Sequence, residues 1–84
     1  KQCCITGRTD EKIERHHNLI YAGRQVNEKW CILPLLKSVH RDIVKYKEAC
    51  DWIMLNRATD EELERYSKAI NYKRERDRLN KIYG

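Results

Sequence analysis

The histidines are the residues of this chain whose type and spacing could do chemistry, because imidazole binds metal ions and transfers protons near neutral pH. His16 and His17 are adjacent, and His40 follows after a polar stretch and a short apolar run. The chain holds no other histidine. Such a set suits a divalent-metal site or acid–base catalysis, and either use requires the two segments to meet in space.

Two strands are predicted to carry the first part of this set. Residues 13–20 form the first strand candidate, residues 21–29 a loop containing Gly23, and residues 30–33 a second strand. Pro34 is expected to end the regular pairing. Strand alternation places Glu14 and His16 on one face and His17 on the other, so the adjacent histidines are expected to have different roles.

Helices are predicted for most of the remaining chain. Ser38 is a plausible N-cap, which puts His40 in the first turn of a helix that runs to about residue 56. Thr59 and Glu62 form a capping box that starts another helix. The apolar stripe of that helix fails at Arg74, which predicts a bend near residues 71–72 or a tail that packs on a partner. Residues 1–7 are predicted to form a short strand that ends in a turn.

Composition sets limits on the class of protein. The 84 residues make a single domain, and 18 Lys and Arg against 13 Asp and Glu give a net charge of +5. This excess favours a polyanionic partner such as nucleic acid. No apolar run is long enough for a membrane span and no signal-peptide pattern opens the chain. The first residue is not Met, which suggests a piece of a longer protein.

The four cysteines are expected to be reduced thiols in a cell interior, although disulfides in a secreted protein are the alternative.

The two histidine segments resemble a known motif. Glu14-x-His16-His17, a loop with Gly23, and then Ile32-Leu33-Pro34-Leu35-x-x-x-x-His40 are similar to the HNH endonuclease family over about residues 3–45. The resemblance implies an α+β fold: a small ββα-metal, treble-clef-like finger, followed here by two C-terminal helices over about residues 46–84. Small domains of this type are common in bacteriophages and bacteria, so the resemblance implies an intracellular location.

The resemblance also implies roles for individual residues. His16 and His40 would bind one divalent ion, with Mg or Mn expected and Zn or Ni also accepted by imidazole. His17 would be the general base that activates water for DNA hydrolysis. Glu14 is expected to orient a histidine ring. Three basic side chains flank the site and are expected to contact backbone phosphates: Arg15, Arg24 and Arg41.

The chain departs from the family pattern in two ways. Two Cys-x-x-Cys pairs that hold a structural zinc in many members are here Cys3-x-x-Thr6 and Leu36-x-x-Val39, so no structural zinc is expected. Apolar packing by the second pair is expected to replace it. The family's middle Asn corresponds to Cys31, and a thiol is a poor substitute for an amide. Two amides lie nearby at other spacings and are given no role: Asn18 and Asn27.

Three functions are compatible with these observations. The first is a metal-dependent endonuclease acting on DNA, which is the preferred interpretation. The second is a nucleic-acid-binding module that has lost turnover because of Cys31. The third is a zinc-stabilised interaction domain, in which the C-terminal helices contact a parent protein or a second copy of the chain. Cutting both DNA strands would require a homodimer or two separate events.

Overall fold

A computed structural model describes residues 1–84 and shows a small α+β fold, as predicted. Two antiparallel pairs of strands and a short 3-10 helix at Lys29–Cys31 precede four α-helices. The strands are β1 (Ile13–His17), β2 (Ile20–Tyr21), β3 (Arg24–Gln25) and β4 (Ile32–Leu36). The helices are α1 (Lys37–Arg41), α2 (Ile43–Arg57), α3 (Asp60–Glu64) and α4 (Tyr72–Tyr83).

The β1–β4 pair is the platform for the histidines. Residues opposite each other in an antiparallel pair share a face, and the register pairs His16 with Leu33 and His17 with Ile32. Leu33 is fully buried, whereas Ile32 is half-buried. We call the face that bears His16 the inner face, because its strand partners face the core, and the face that bears His17 the outer face.

Pro34 lies within β4, so the prediction that it ends the pairing is wrong. Its strand partner is Arg15. The Pro34 carbonyl accepts a hydrogen bond of 2.9 Å from the Cys4 backbone N–H, so this edge of the residue points away from β1. Proline lacks a backbone donor and is tolerated where that edge is not used for pairing with the neighbouring strand.

The connection between β1 and β4 is more ordered than the predicted loop. Ala22 and Gly23, with φ of 54° and 76°, join β2 to β3 in a two-residue turn of the type that hairpins favour. The second long strand also starts later than predicted, because Trp30 and Cys31 belong to the 3-10 helix.

The two predicted helical regions are each divided. The first breaks at Asp42, between α1 and α2. Ser38 is not its N-cap: the helix starts at Lys37, and the Ser38 backbone N–H and hydroxyl both donate to the Glu11 carboxylate at 3.0 Å. A side chain from a distant loop therefore provides the anchor that a local cap was expected to provide.

The second helical region confirms two local predictions. Thr59 and Glu62 form the capping box at the start of α3. The bend predicted near residues 71–72 coincides with the start of α4, which Asn71 caps by accepting a hydrogen bond from the Arg74 backbone N–H. The helix before it ends earlier than the apolar stripe predicted, since α3 stops at Glu64 and turns follow. At the other end of the chain the predicted strand over residues 1–7 is wrong, since this segment forms a turn that closes from Gly7 N–H to the Cys3 carbonyl.

The buried residues form two clusters. The hairpin cluster packs β4 against α1, α2 and the N-terminal turn, and consists of Cys3, Leu33, Leu35, Leu36, Val39 and Cys50. It includes the two apolar residues predicted to replace a zinc knuckle. The helical cluster packs the region around the 3-10 helix against α2, α3 and α4, and consists of Leu19, Val26, Trp30, Cys31, Met54, Leu55, Leu63, Tyr72 and Leu79. None of the helices combines the length and apolar character needed to cross a bilayer.

Candidate metal and catalytic site

Two imidazoles from different elements meet on the inner face. His16 comes from β1 and His40 from α1, and their ring centroids lie 5.1 Å apart at an interplanar angle of 64°. The pair forms because β4 runs directly into α1, which returns the fourth residue of that helix over β1. The sequence prediction that these two histidines meet is therefore confirmed.

Glu14 orients His40. The His40 Nδ1–H donates to Glu14 Oε1 at 2.8 Å. This hydrogen bond is the main cause that holds the pKa of Glu14 below its ordinary value, so the carboxylate stays ionised and accepts the proton. Glu14 was predicted to orient a ring from its position on the inner face, and the ring is His40. With Nδ1 engaged, Nε2 is the His40 nitrogen that remains available to a further partner.

A buried amide determines which nitrogen of His16 carries the proton. Asn18 is 7% exposed, and its amide nitrogen donates to Asp51 Oδ1 at 2.8 Å and to the Met54 sulfur at 3.4 Å. Asp51 is ion-paired with Lys47 and can only accept. The Asn18 carbonyl oxygen therefore faces His16 Nε2, at 3.0 Å, and receives its proton. His16 Nδ1 is left with the lone pair.

Burial also keeps His16 uncharged. Desolvation is the largest cause that lowers the pKa of His16 below its ordinary value of 6.5, and the positive charges of His40, Lys47 and His17 act in the same direction. The Asn18 hydrogen bond opposes this shift without reversing it. Neutral imidazole is the form that can donate a lone pair to a metal ion.

The separation of the two rings can be compared with the separation expected when two imidazoles hold one metal ion. With a metal–nitrogen bond of about 2.0 Å and near-tetrahedral angles, two rings on one ion have centroids about 5 Å apart. The observed separation of 5.1 Å agrees with this value, and it also lies within the range of edge-to-face packing between two rings. The free lone pairs are on His16 Nδ1 and His40 Nε2, and both rings have hydrogen-bond partners of the kind that orient metal ligands. No group of three or more His, Cys, Asp or Glu side chains is placed to hold an ion.

His17 lies on the outer face with a partner of its own. Its Nε2 is 2.8 Å from Asn27 Oδ1, in the loop that follows β3. With the amide oxygen toward the ring, Nε2 carries the proton and Nδ1 is free to accept another. Strand alternation therefore separates His17 from the inner-face pair, as predicted, while leaving all three rings at the same end of β1.

Cys31 holds the loop that carries Asn27. The thiol is fully buried and lies 3.3 Å from the Val26 carbonyl and 3.2 Å from the Glu28 carbonyl. Burial raises the pKa of Cys31, so the sulfur keeps its proton and can donate it. Cys31 thus contacts the two carbonyls that flank Asn27.

The three predicted phosphate contacts have different positions. Arg15 is exposed on the outer face, next to an open cavity that it shares with other basic residues. Arg24 is exposed in β3 and Arg41 is exposed at the end of α1, and neither lines that cavity. Of the three, only Arg15 lines that cavity.

Apart from Glu14, sequence reasoning missed the residues that orient the histidines. Asn18 and Asn27 were set aside for their spacing, and Asp51 was not considered. The link between Asn18 and Asp51 joins positions 33 residues apart, so no local pattern could reveal it. The only sequence signal for Asn18 was its position directly after the first strand. Its burial became visible only in the fold.

Comparisons with known proteins assign no family to the chain, since no family model, curated protein or solved structure matches it.

Proposed function

We propose that the protein is a metal-dependent endonuclease that hydrolyses DNA phosphodiester bonds. The observation that carries the proposal is the convergence of His16 and His40 at 5.1 Å, each with one nitrogen engaged by a partner and the other free. The likeness of the motif to the HNH family supports the same conclusion.

His17 is the proposed general base. Its free Nδ1 takes a proton from a water molecule as the water oxygen attacks phosphorus, and Asn27 holds the opposite nitrogen. The bond from phosphorus to the 3′ oxygen breaks, which leaves a 5′-phosphate and, after protonation, a 3′-hydroxyl. His17 is only partly buried, which leaves it accessible to a substrate as large as DNA.

His16 and His40 are the proposed ligands of one divalent ion. When bound, such an ion supplies positive charge that stabilises the phosphate and the leaving oxygen in the transition state. Imidazole favours Zn and Ni, whereas Mg and Mn favour oxygen ligands. Mg or Mn is nevertheless the proposed physiological choice, because the resemblance to the HNH family implies it and because water and phosphate oxygens would occupy the remaining coordination positions. Glu14 and Asn18 keep the two rings in the required tautomers. The proposal requires no structural zinc.

A second candidate is a nucleic-acid-binding module without turnover, and Cys31 is the observation that favours it. One thiol proton can satisfy only one of the two carbonyls within reach, whereas an amide has two donors. A loop held less firmly would position Asn27 and His17 less well. A partner protein on the C-terminal helices has no comparable support.

Supercoiled plasmid distinguishes these candidates. Purified protein is incubated with Mg, Mn, Ni, Zn or EDTA, beside His17→Ala and His40→Ala variants whose fold is checked by circular dichroism. We expect metal-dependent nicking that falls by about 10²–10⁴-fold in His17→Ala, the range for loss of a general base. Wild-type protein that shifts DNA in a gel but is inert with every metal would establish the binding module instead. Nicking that persists in His17→Ala would remove this residue as the base.

A further inference from the structure

An open cavity on the outer face collects basic side chains from separate parts of the chain. It has a volume of about 480 Å³ and receives Arg15 from β1, Lys29 from the 3-10 helix and Arg57 from the end of α2. Lys1 and Gln2 lie at its margin, and Ile32 and Pro34 of β4 form its floor. No acidic residue lines it.

These cations have no carboxylate partner. Six of the 18 Lys and Arg residues pair with acids within 4.0 Å, among them Arg65 with Glu28 and Arg78 with Glu48. None of the four basic residues of the cavity makes such a pair, and the only hydrogen bond from Arg57 goes to the Ile32 carbonyl at 3.4 Å. Uncompensated positive charge gathered in one concavity attracts anions.

Phosphate is the anion that this combination fits best. Guanidinium groups make forked hydrogen bonds to phosphate oxygens, and lysine adds a flexible point charge. The cations come from a strand, a 3-10 helix and the end of an α-helix. An extended row of phosphates, as in a nucleic-acid backbone, can contact all of them together.

The position of the cavity relates it to the proposed base. Arg15 and His17 lie on the same face of β1, two residues and so about 7 Å apart along the strand. The cavity floor contains Ile32, which is the strand partner of His17. A backbone bound in the cavity therefore continues directly toward the His17 end of β1.

We propose that Arg15, Lys29 and Arg57 form a binding site for nucleic-acid backbone phosphates that leads the substrate to His17. This inference rests on the proposed function for its direction, and it replaces Arg24 and Arg41 with Lys29 and Arg57 as the main phosphate contacts. The contacts involve no base edges, so the site binds without regard to sequence.

The test measures DNA binding without cleavage. A short duplex carrying a fluorophore is titrated with the protein in EDTA, and the dissociation constant is followed by anisotropy between about 50 and 200 mM salt. The variants are Arg15→Gln, Lys29→Gln and Arg57→Gln, singly and combined. The matched control is Lys73→Gln, which removes the same charge from an exposed residue at a separate cavity.

Each single substitution in the cavity is expected to reduce the slope of log affinity against log salt by about 1, because one phosphate contact and its counterion release are lost. Lys73→Gln is expected to leave the slope near its wild-type value. Lys29→Gln carries most weight, since this side chain is exposed and has no hydrogen bond whose loss could disturb the fold. The inference fails if the wild type does not bind the duplex, or if the cavity variants have the same salt slope as the Lys73→Gln control.

Failure of this inference can be told apart from failure of the proposed nuclease. Binding in EDTA depends on neither metal nor turnover, whereas plasmid nicking depends on both. If the cavity variants keep the wild-type salt slope while nicking is lost in His17→Ala, the phosphate-binding site is disproved and the nuclease is supported. If the cavity variants have reduced salt slopes but the wild type does not nick DNA with any metal, the binding site is supported and the nuclease is disproved.

Discussion

At the scale of single residues, the chemistry of this site depends on which nitrogen of each ring carries a proton. Asp51 can only accept, so Asn18 must turn its carbonyl oxygen toward His16. Glu14 fixes His40 in the opposite tautomer, by accepting from Nδ1. The two nitrogens that keep a free lone pair are thus different atoms of the ring, and each is set by a neighbouring side chain.

Asn27 is a positioning residue for His17, and its replacement tests this at the same scale. A carboxylate in Asn27→Asp favours the protonated imidazole 2.8 Å away. Since the base must be unprotonated, the acidic limb of the pH profile for nicking should move upward by about one unit. Asn27→Ala should lower the rate without this displacement.

The control for that experiment is Asn71→Asp. It adds the same charge at the cap of α4 and keeps a side chain that can accept from Arg74 N–H. A profile that moves equally in both variants would mean that overall charge, and not contact with His17, controls the titration.

At the scale of elements, the loop between β3 and β4 is held by a buried thiol. Cys31 ends the 3-10 helix and reaches back to carbonyls on both sides of Asn27. Its backbone N–H also donates to the Glu28 carbonyl at 3.0 Å. The Val26 carbonyl therefore depends more on the thiol than the Glu28 carbonyl does.

Two substitutions at Cys31 separate packing from hydrogen bonding. Cys31→Ala removes the donor to a buried carbonyl and should lower the free energy of unfolding by about 1 kcal/mol. Cys31→Asn is similar in size and brings two donors, so it should be at least as stable as the wild type and nick faster. Urea denaturation and plasmid nicking measure these effects. An Asn variant that is less stable than the Ala variant would show that the pocket accepts no amide.

At the scale of the whole molecule, the finger and the C-terminal helices share one interior. Met54 belongs to the helical cluster and also contacts Asn18, the residue that orients His16. Leu79, in α4, is fully buried in the same cluster. The division into a finger over residues 3–45 and an extension over 46–84 describes the motif, but packing crosses that boundary.

Leu79→Ala tests this continuity. It removes a fully buried side chain and should reduce the free energy of unfolding by about 2–5 kcal/mol. Ile82→Ala, in the same helix and 57% exposed, should cost under about 1 kcal/mol. Urea denaturation followed by circular dichroism measures both. Equal effects of the two substitutions would contradict the packing of α4 onto the finger.

Local signals in the sequence were sufficient for much of this molecule. Strand alternation assigned His16 and His17 to opposite faces, the Thr59 capping box marked the start of α3, and the failing apolar stripe marked the break before α4. Each depends on residues within a few positions of one another, where backbone geometry alone relates side chain to side chain.

Tertiary structure decided what these local rules could not reach. Glu11 anchors Ser38, Asp51 orients Asn18, and the Pro34 carbonyl accepts from the N-terminal turn instead of from β1. The cavity of Arg15, Lys29 and Arg57 likewise draws on three distant elements. The histidines and their spacing were readable from the chain, whereas their tautomers and surroundings arise from long-range contacts that only the packed fold brings together.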